Sequence, residues 1–328
     1  MNATRNSLGK NPAASQGQGH ENGKRKGEAP RPGSLGAWLL AARPRTLPAS
    51  ASGVIVGSAL ALHDGRFQAV PALAALLVAL ALQVASNLAN DVFDFERGSD
   101  AHRAHGPLRV TQGGLLTPGQ VKLGLLVVIA LAALAGLWLA ATAGWWLLLV
   151  GAAAIVSAVI YTAGPFPLSH LGLGDLFVFL FFGLAAVIGT YYVQAGAVSP
   201  AAFAMVVPPG LIIVAILVVN NLRDIEEDRE ADKRTLAVRF GAAFAKGEYL
   251  ACLVLAYLAF PAAAGLGLLP WWTMATWLSL PLAFRNSRTV FTTKGSSLNA
   301  ALGGTGMLSF VVALLFAAGM VADLVFGV

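Results

Sequence analysis

The 328-residue sequence is poor in charge and nearly devoid of cysteine. Only 12% of its residues are charged and 57% are hydrophobic, against roughly 25% charged in a soluble globular domain. The apolar residues stand in near-continuous runs of about 18 or more, the length that spans a hydrocarbon layer, and not in the stripes of water-soluble helices. A bilayer is therefore the expected solvent. The single cysteine, Cys252, lies inside one such run, which excludes a disulfide framework and a thiolate metal centre. Residues 1–34 hold no apolar stretch and are rich in Gly, Asn, Gln, Lys and Arg. They are expected to form a disordered basic tail, because they bury too little surface to offset the entropy of ordering. Without the apolar core of a secretory signal, the first membrane helix is expected to be retained.

Open sheet edges cannot be satisfied in lipid, so the spans are expected to be helical. The sequence predicts an all-α polytopic membrane protein with about nine transmembrane helices around a central cavity. By length and apolarity they cover roughly 47–63, 69–93, 119–141, 144–161, 173–194, 201–223, 243–265, 270–284 and 298–322. Residues 35–328 form one transmembrane domain in this reading. Of the 22 basic residues, all but Arg66 fall before the first span or in the connections after spans two, six and eight. Lys and Arg near span ends stay cytoplasmic, which places the N-terminus and these connections inside a cell membrane. The net charge of +6 then needs no nucleic-acid partner, since topology and anionic lipid account for it.

Acidic residues number 16, and ten of them occupy two windows: Asp91, Asp94, Glu96 and Asp100, then Asp224, Glu226, Glu227, Asp228, Glu230 and Asp232. Both windows sit at the cytoplasmic ends of spans, the second and the sixth. Asn87, Asn90, Asp91 and Asp94 are related by three- and four-residue steps, as are Asn220, Asp224 and Asp228 by steps of four, so each set shares a helix face. The matched spacing four spans apart suggests two duplicated halves with a site between them. Like charges on one helix face repel unless a cation lies between them. Oxygen-only donors suit Mg²⁺, which commonly binds through one or two carboxylates plus substrate phosphates. A solvated helix end balanced by Arg and Lys is the alternative; it explains one cluster without predicting a matched second. Asn87 and Asn220 lie a turn deeper, where a buried amide needs a partner or a function. A transporter with an acidic mouth is a further alternative, although transport sites usually sit near the bilayer midplane and no span here carries an acid near its centre.

The pattern Asn90-Asp91-x-x-Asp94 with a downstream Asp224-x-x-x-Asp228 resembles the UbiA superfamily of intramembrane aromatic prenyltransferases. The stretches Ala42-Arg-Pro-Arg-Thr-Leu-Pro48, Asn87-Leu-Ala-Asn-Asp91, Gly106-Pro-Leu-Arg-Val-Thr-Gln112, Tyr161-Thr-Ala-Gly-Pro165, Asn220-Asn-Leu-Arg-Asp224 and Lys233-Arg-Thr-Leu-Ala-Val-Arg239 are similar to the MenA-like branch, which prenylates 1,4-dihydroxy-2-naphthoate in menaquinone biosynthesis. The resemblance runs from about residue 40 to the C-terminus. Two departures stand out. The fourth position after Asp94 is Gly98, not the superfamily's frequent aspartate, which leaves that part to Asp100. The loop 161–172 also lacks the lysine typical of 4-hydroxybenzoate enzymes.

The resemblance implies Mg²⁺-dependent transfer of a polyprenyl group from its diphosphate to an aromatic carbon, with loss of diphosphate and CO₂, on the way to demethylmenaquinone. Homogentisate, a chlorophyllide or another quinone precursor are alternative acceptors. It implies metal ligation by Asp91, Asp94, Asp224 and Asp228, electrostatic support from Arg109, Lys233 and Arg234, and contacts from Asn87, Asn90, Asn220, Asn221 and Arg223. Phe93, Tyr161, Phe166, Tyr191 and Tyr192 are candidates to line the path of an allylic cation, with ordinary packing as the alternative. Asp175 either anchors an acceptor hydroxyl or caps its helix. Arg43 and Arg45 either bind the naphthoate carboxylate or anchor the chain at the cytoplasmic face. His102 and His105 are candidate general bases.

Overall fold

The computed structural model describes residues 30–98, 106, 108–164 and 167–327, and residues 31–328 form one compact unit. The architecture is entirely helical among the described residues. A short helix α1 (Leu35–Ala42) leads through a tight turn into α2 (Leu47–His63), followed by α3 (Ala69–Glu96), α4 (Pro118–Ala143) and the shorter α5 (Leu147–Ile160). Next come α6 (Gly174–Ala195), with π-helical turns over Phe179–Ala185, and α7 (Val207–Arg223), entered through Pro200–Ala204. A short α8 (Ile225–Glu230), a long α9 (Leu236–Gly265), α10 (Leu280–Thr292) and α11 (Asn299–Phe326) complete the chain.

Each of the nine expected segments is helical. Seven are long and apolar enough to cross a membrane, and α5 is a shorter apolar helix. The eighth expected segment, 270–284, differs: Trp271–Ser279 winds as a 3₁₀ helix before α10 begins. Thr273, Thr276 and Ser279 each donate a hydroxyl hydrogen bond to the carbonyl three residues back, which favours that tighter winding over an α-helix.

Helix starts follow local chemistry. Thr117 caps α4 in a reciprocal pair with Gln120, with Pro118 behind it, satisfying N–H groups that otherwise lack partners. Small residues then allow close helix packing, which in lipid replaces the hydrophobic drive. A methyl on Gly57 of α2 would lie 2.6 Å from the Val187 carbonyl of α6, and one on Gly183 would lie 3.0 Å from Gly210 of α7. One apolar core joins α2, α6, α7, α9 and α11, and a second joins α1, α3, the 110–116 turn and α4. Helix α7 is the most enclosed span, with 67% of its apolar window buried against 11% for α3. Its C-terminal end therefore lies inside the bundle.

Candidate active site

Helices α3 and α7 end at the same cavity. Asn90, Asp94 and Arg109 line it from one side, and Asn220, Asn221, Asp224, Glu227, Asp228 and Lys233 from the other, with Arg43, Tyr161, Thr162, Ser169 and Thr235 closing it. The enclosed space is about 80 Å³, room for a few waters only. Ion pairs lie on both sides of it.

On the first side, the Arg109 guanidinium meets the Asp94 carboxylate at 2.6 Å, with both side chains about 5% exposed or less, and donates to the Asn90 carbonyl. Arg109 is held there by Asp91. The Asp91 carboxylate accepts from the backbone N–H groups of Val110 at 3.0 Å and Thr111 at 2.9 Å, and from the Thr111 hydroxyl. Asp91 is 2% exposed and is absent from the cavity wall. Its position on the shared face does not bring it to the cavity, because the loop folds back onto it first.

On the second side, Asp224 ends α7 outside helical geometry (φ −100°, ψ 15°). Arg223 grips both its oxygens, with Nε–Oδ1 at 2.6 Å, and also donates to Asn299 and Asn220 at 2.8 Å each. So engaged and 1% exposed at its side chain, Arg223 is a fixed strut; the expected substrate contact is not available to it. Asp232 takes a left-handed turn (φ 52°), tolerable for aspartate, and this folds Lys233 back so that its Nζ lies 3.5 Å from Asp228. Arg234 is 70% exposed, pairs loosely with Asp232 at 4.0 Å and does not reach the cavity.

Asn87 also departs from its expected role. Its amide donates to the Ala42 carbonyl at 3.0 Å and the Thr46 hydroxyl at 3.2 Å, so it holds the turn that presents Arg43. Arg43 adopts φ 52°, an unfavourable conformation for arginine of the kind found at functional sites, and lines the cavity; Arg45 is exposed. Tyr161 closes α5 at the wall. Of the other aromatics, Phe93 packs in the second core. Tyr191 and Tyr192 lie some 17 residues along α6 from Gly174, about 25 Å at 1.5 Å per residue, where Tyr191 donates to Asp64 at 2.5 Å. Asp100, His102, His105, Phe166 and residues 1–29 lie outside the described residues.

The donor set suits a hard cation. Asn90 Oδ1 is buried without a hydrogen-bond partner on the face that carries Asp94, and the cavity's acids offer only oxygen. Among the described residues no three acids or histidines already stand close enough to hold an ion; carboxylates paired with Arg and Lys leave the remaining ligands to a substrate.

Two acid-bearing helix ends of a helical membrane bundle thus share one cavity with Arg43, Arg109 and Lys233, an arrangement that suits an intramembrane site for an anionic ligand. The chain belongs to the UbiA prenyltransferase family, whose pattern matches residues 50–308. It is 40% identical to the 1,4-dihydroxy-2-naphthoate octaprenyltransferase of Escherichia coli over 77% of this chain and 84% of the relative. It is likewise 40% identical to the enzyme of that name from Mycobacterium tuberculosis, over 86% and 95% of the two chains. Among solved structures, a UbiA homologue from Archaeoglobus fulgidus bound to GPP and Mg²⁺ shares the fold, with a TM-score of 0.59 at 16% identity over 87% of this chain and 99% of that one.

Of the cavity-wall residues that the sequence did not single out as site candidates, Ser169 lies outside every motif, while Thr162 and Thr235 fall inside the Tyr161–Pro165 and Lys233–Arg239 stretches. Thr162 and Ser169 carry no charge and no helical periodicity, so only the fold reveals them. Glu227 was visible as part of the acidic window but not as a wall residue.

Proposed function

We propose that this chain transfers a polyprenyl group from polyprenyl diphosphate to 1,4-dihydroxy-2-naphthoate, with loss of diphosphate and CO₂, in menaquinone biosynthesis. The observation that carries the reading is the shared cavity of α3 and α7. Asp94 and Asp228 pair there with Arg109 and Lys233, and Asp224 is backed by Arg223 behind the wall, in a chain 40% identical to naphthoate octaprenyltransferases over most of its length.

Asp94, Asp224 and Asp228, with Asn90 Oδ1, are the residues that would hold Mg²⁺, Asp224 through the oxygen lone pairs that Arg223 leaves unused. When bound, the ion supplies Lewis-acid stabilisation of the departing diphosphate oxygens. Asp91 acts one step removed, by fixing the loop that carries Arg109. Substrate binding opens the Arg109–Asp94 and Lys233–Asp228 pairs. The freed guanidinium takes diphosphate oxygens in a bidentate fork, and the lysine acts as a point charge. These fixed cations favour the charge that develops as the allylic C–O bond breaks. The apolar bundle keeps water from the resulting cation. Electrons from the acceptor ring close the new C–C bond at the carbon bearing the carboxylate, and the C–CO₂ bond then breaks with its electron pair returning to the ring, which releases CO₂ and leaves the quinol form of demethylmenaquinone. The basic connections support a cavity at the cytoplasmic face of the cell membrane.

An acceptor panel tests the proposal. Purified protein given farnesyl diphosphate, Mg²⁺ and 1,4-dihydroxy-2-naphthoate, homogentisate or 4-hydroxybenzoate is expected to prenylate the naphthoate and release CO₂. Preference for either other acceptor would replace the naphthoate assignment, and transfer to none would defeat the reading.

A further inference from the structure

Tyr161, Thr162 and Ser169, between α5 and α6, form an uncharged wall of the cavity. The Tyr161 carbonyl accepts from the Ser169 N–H at 3.1 Å, which folds the connection so that Tyr161, Thr162 and Ser169 all face the cavity. The far end is fixed to the 233–239 segment: the His170 carbonyl accepts from the Arg234 N–H at 3.2 Å, and the Leu171 carbonyl from the Arg239 guanidinium at 2.8 Å. Thr162 Oγ1 and Ser169 Oγ are both buried without a hydrogen-bond partner. Buried hydroxyls are nearly always paired, and each exception calls for an explanation. Two of them on one wall of a substrate cavity point to a ligand that pairs with both.

The chemistry of the wall decides which ligand. Residues 161–172 contain no Lys, Arg, Asp or Glu, and burial, with Lys233 and Arg97 nearby, holds His170 below its ordinary pKa and so uncharged. A diphosphate is multiply anionic and offers only acceptor oxygens; its match is the cationic set Arg43, Arg109 and Lys233. A phenolic hydroxyl both donates and accepts, as serine and threonine hydroxyls do.

We propose that Thr162 and Ser169 form the subsite for the ring hydroxyls of the aromatic acceptor, each side-chain hydroxyl pairing with one ring oxygen. This rests on the acceptor being an aromatic diol, as under Proposed function. The two residues orient the ring and select for its free hydroxyls, because an acceptor that lacks one leaves a buried hydroxyl unpaired in the complex.

The test uses the full chain in detergent with Thr162→Val, Ser169→Ala and Thr162→Ser. It compares 1,4-dihydroxy-2-naphthoate with its mono-methyl ethers, and farnesyl diphosphate serves as donor. Thr162→Val and Ser169→Ala are each expected to raise KM for the diol about 3- to 10-fold. KM for farnesyl diphosphate stays unchanged, and discrimination against one methyl ether shrinks. Thr162→Ser keeps the hydroxyl and is expected to hold the diol KM closer to wild type than Thr162→Val does, which separates loss of the hydroxyl from loss of packing. A rise in the farnesyl diphosphate KM instead, or no change in either KM, overturns the assignment. Equilibrium binding of the diol separates the two levels of inference. Binding weakened in Thr162→Val while no variant shows turnover refutes the transferase reading and supports the subsite. Unchanged binding with turnover intact refutes the subsite alone.

Discussion

Replacing Asp91 with asparagine distinguishes a carboxylate that holds metal from one that holds the protein. The Asp91 carboxylate accepts three hydrogen bonds, from the Val110 and Thr111 N–H groups and the Thr111 hydroxyl. Asparagine keeps one oxygen, enough for the two Thr111 bonds, and sets an amide N–H against the Val110 N–H. A lost charge-assisted bond and a buried unsatisfied donor together cost about 3–5 kcal/mol, a large part of a typical stability. The loop freed by this exchange carries Arg109, so turnover also falls. Metal dependence separates the roles. With initial rates measured against Mg²⁺ concentration, Asp91→Asn is expected to melt at lower temperature and turn over more slowly with its half-saturating Mg²⁺ unchanged. Asp94→Asn is expected to raise that concentration by about tenfold or more. An Asp91→Asn protein that melts like the wild type yet needs as much extra Mg²⁺ as Asp94→Asn would refute the positioning role.

Two further substitutions probe the struts and the wall. Arg223→Met removes the bidentate partner of buried Asp224 and is expected to lower stability by about 3–5 kcal/mol, read as a lower melting temperature that Asp224→Asn in the same chain partly restores. His170, held below its ordinary value of 6.5 by burial, Lys233 and Arg97, makes the folded state bind fewer protons than the unfolded chain as pH falls through 6.5. Stability is therefore expected to fall from there downward, and His170→Gln to flatten the melting-temperature profile between pH 7 and pH 5; an unchanged slope would count against this role.

The spans were legible because apolar runs of membrane length have few competing explanations, whereas the 3₁₀ winding of Trp271–Ser279 depends on three hydroxyl bonds that no run length reveals. The paired acidic ends were legible for a similar reason: charge at the end of an apolar helix stands out, and a three- or four-residue spacing fixes a common face. Spacing does not say what packs against that face. Asp91 and Asp94 share it, yet the loop through Val110 and Thr111 claims one and leaves the other to the cavity. Asn87 was noticed for its depth, but its partner Ala42 is 45 residues away. Tyr191 was a candidate by residue type, and only the length of α6 removes it from the site. Thr162 falls within a quoted motif and Ser169 in none, and neither shows its place in the wall, because a neutral hydroxyl in a loop looks like any turn.

On the proposed function, the ends of α3 and α7 jointly hold a metal-bound prenyl diphosphate. Equilibrium binding of a non-hydrolysable farnesyl diphosphate analogue, measured with Mg²⁺ and with EDTA for the wild type, Asp94→Asn and Asp228→Asn, tests it directly. Tight binding by the wild type with Mg²⁺ alone, weakened by either substitution, is the result expected. Binding that survives EDTA, or that depends on one helix end and ignores the other, would contradict it.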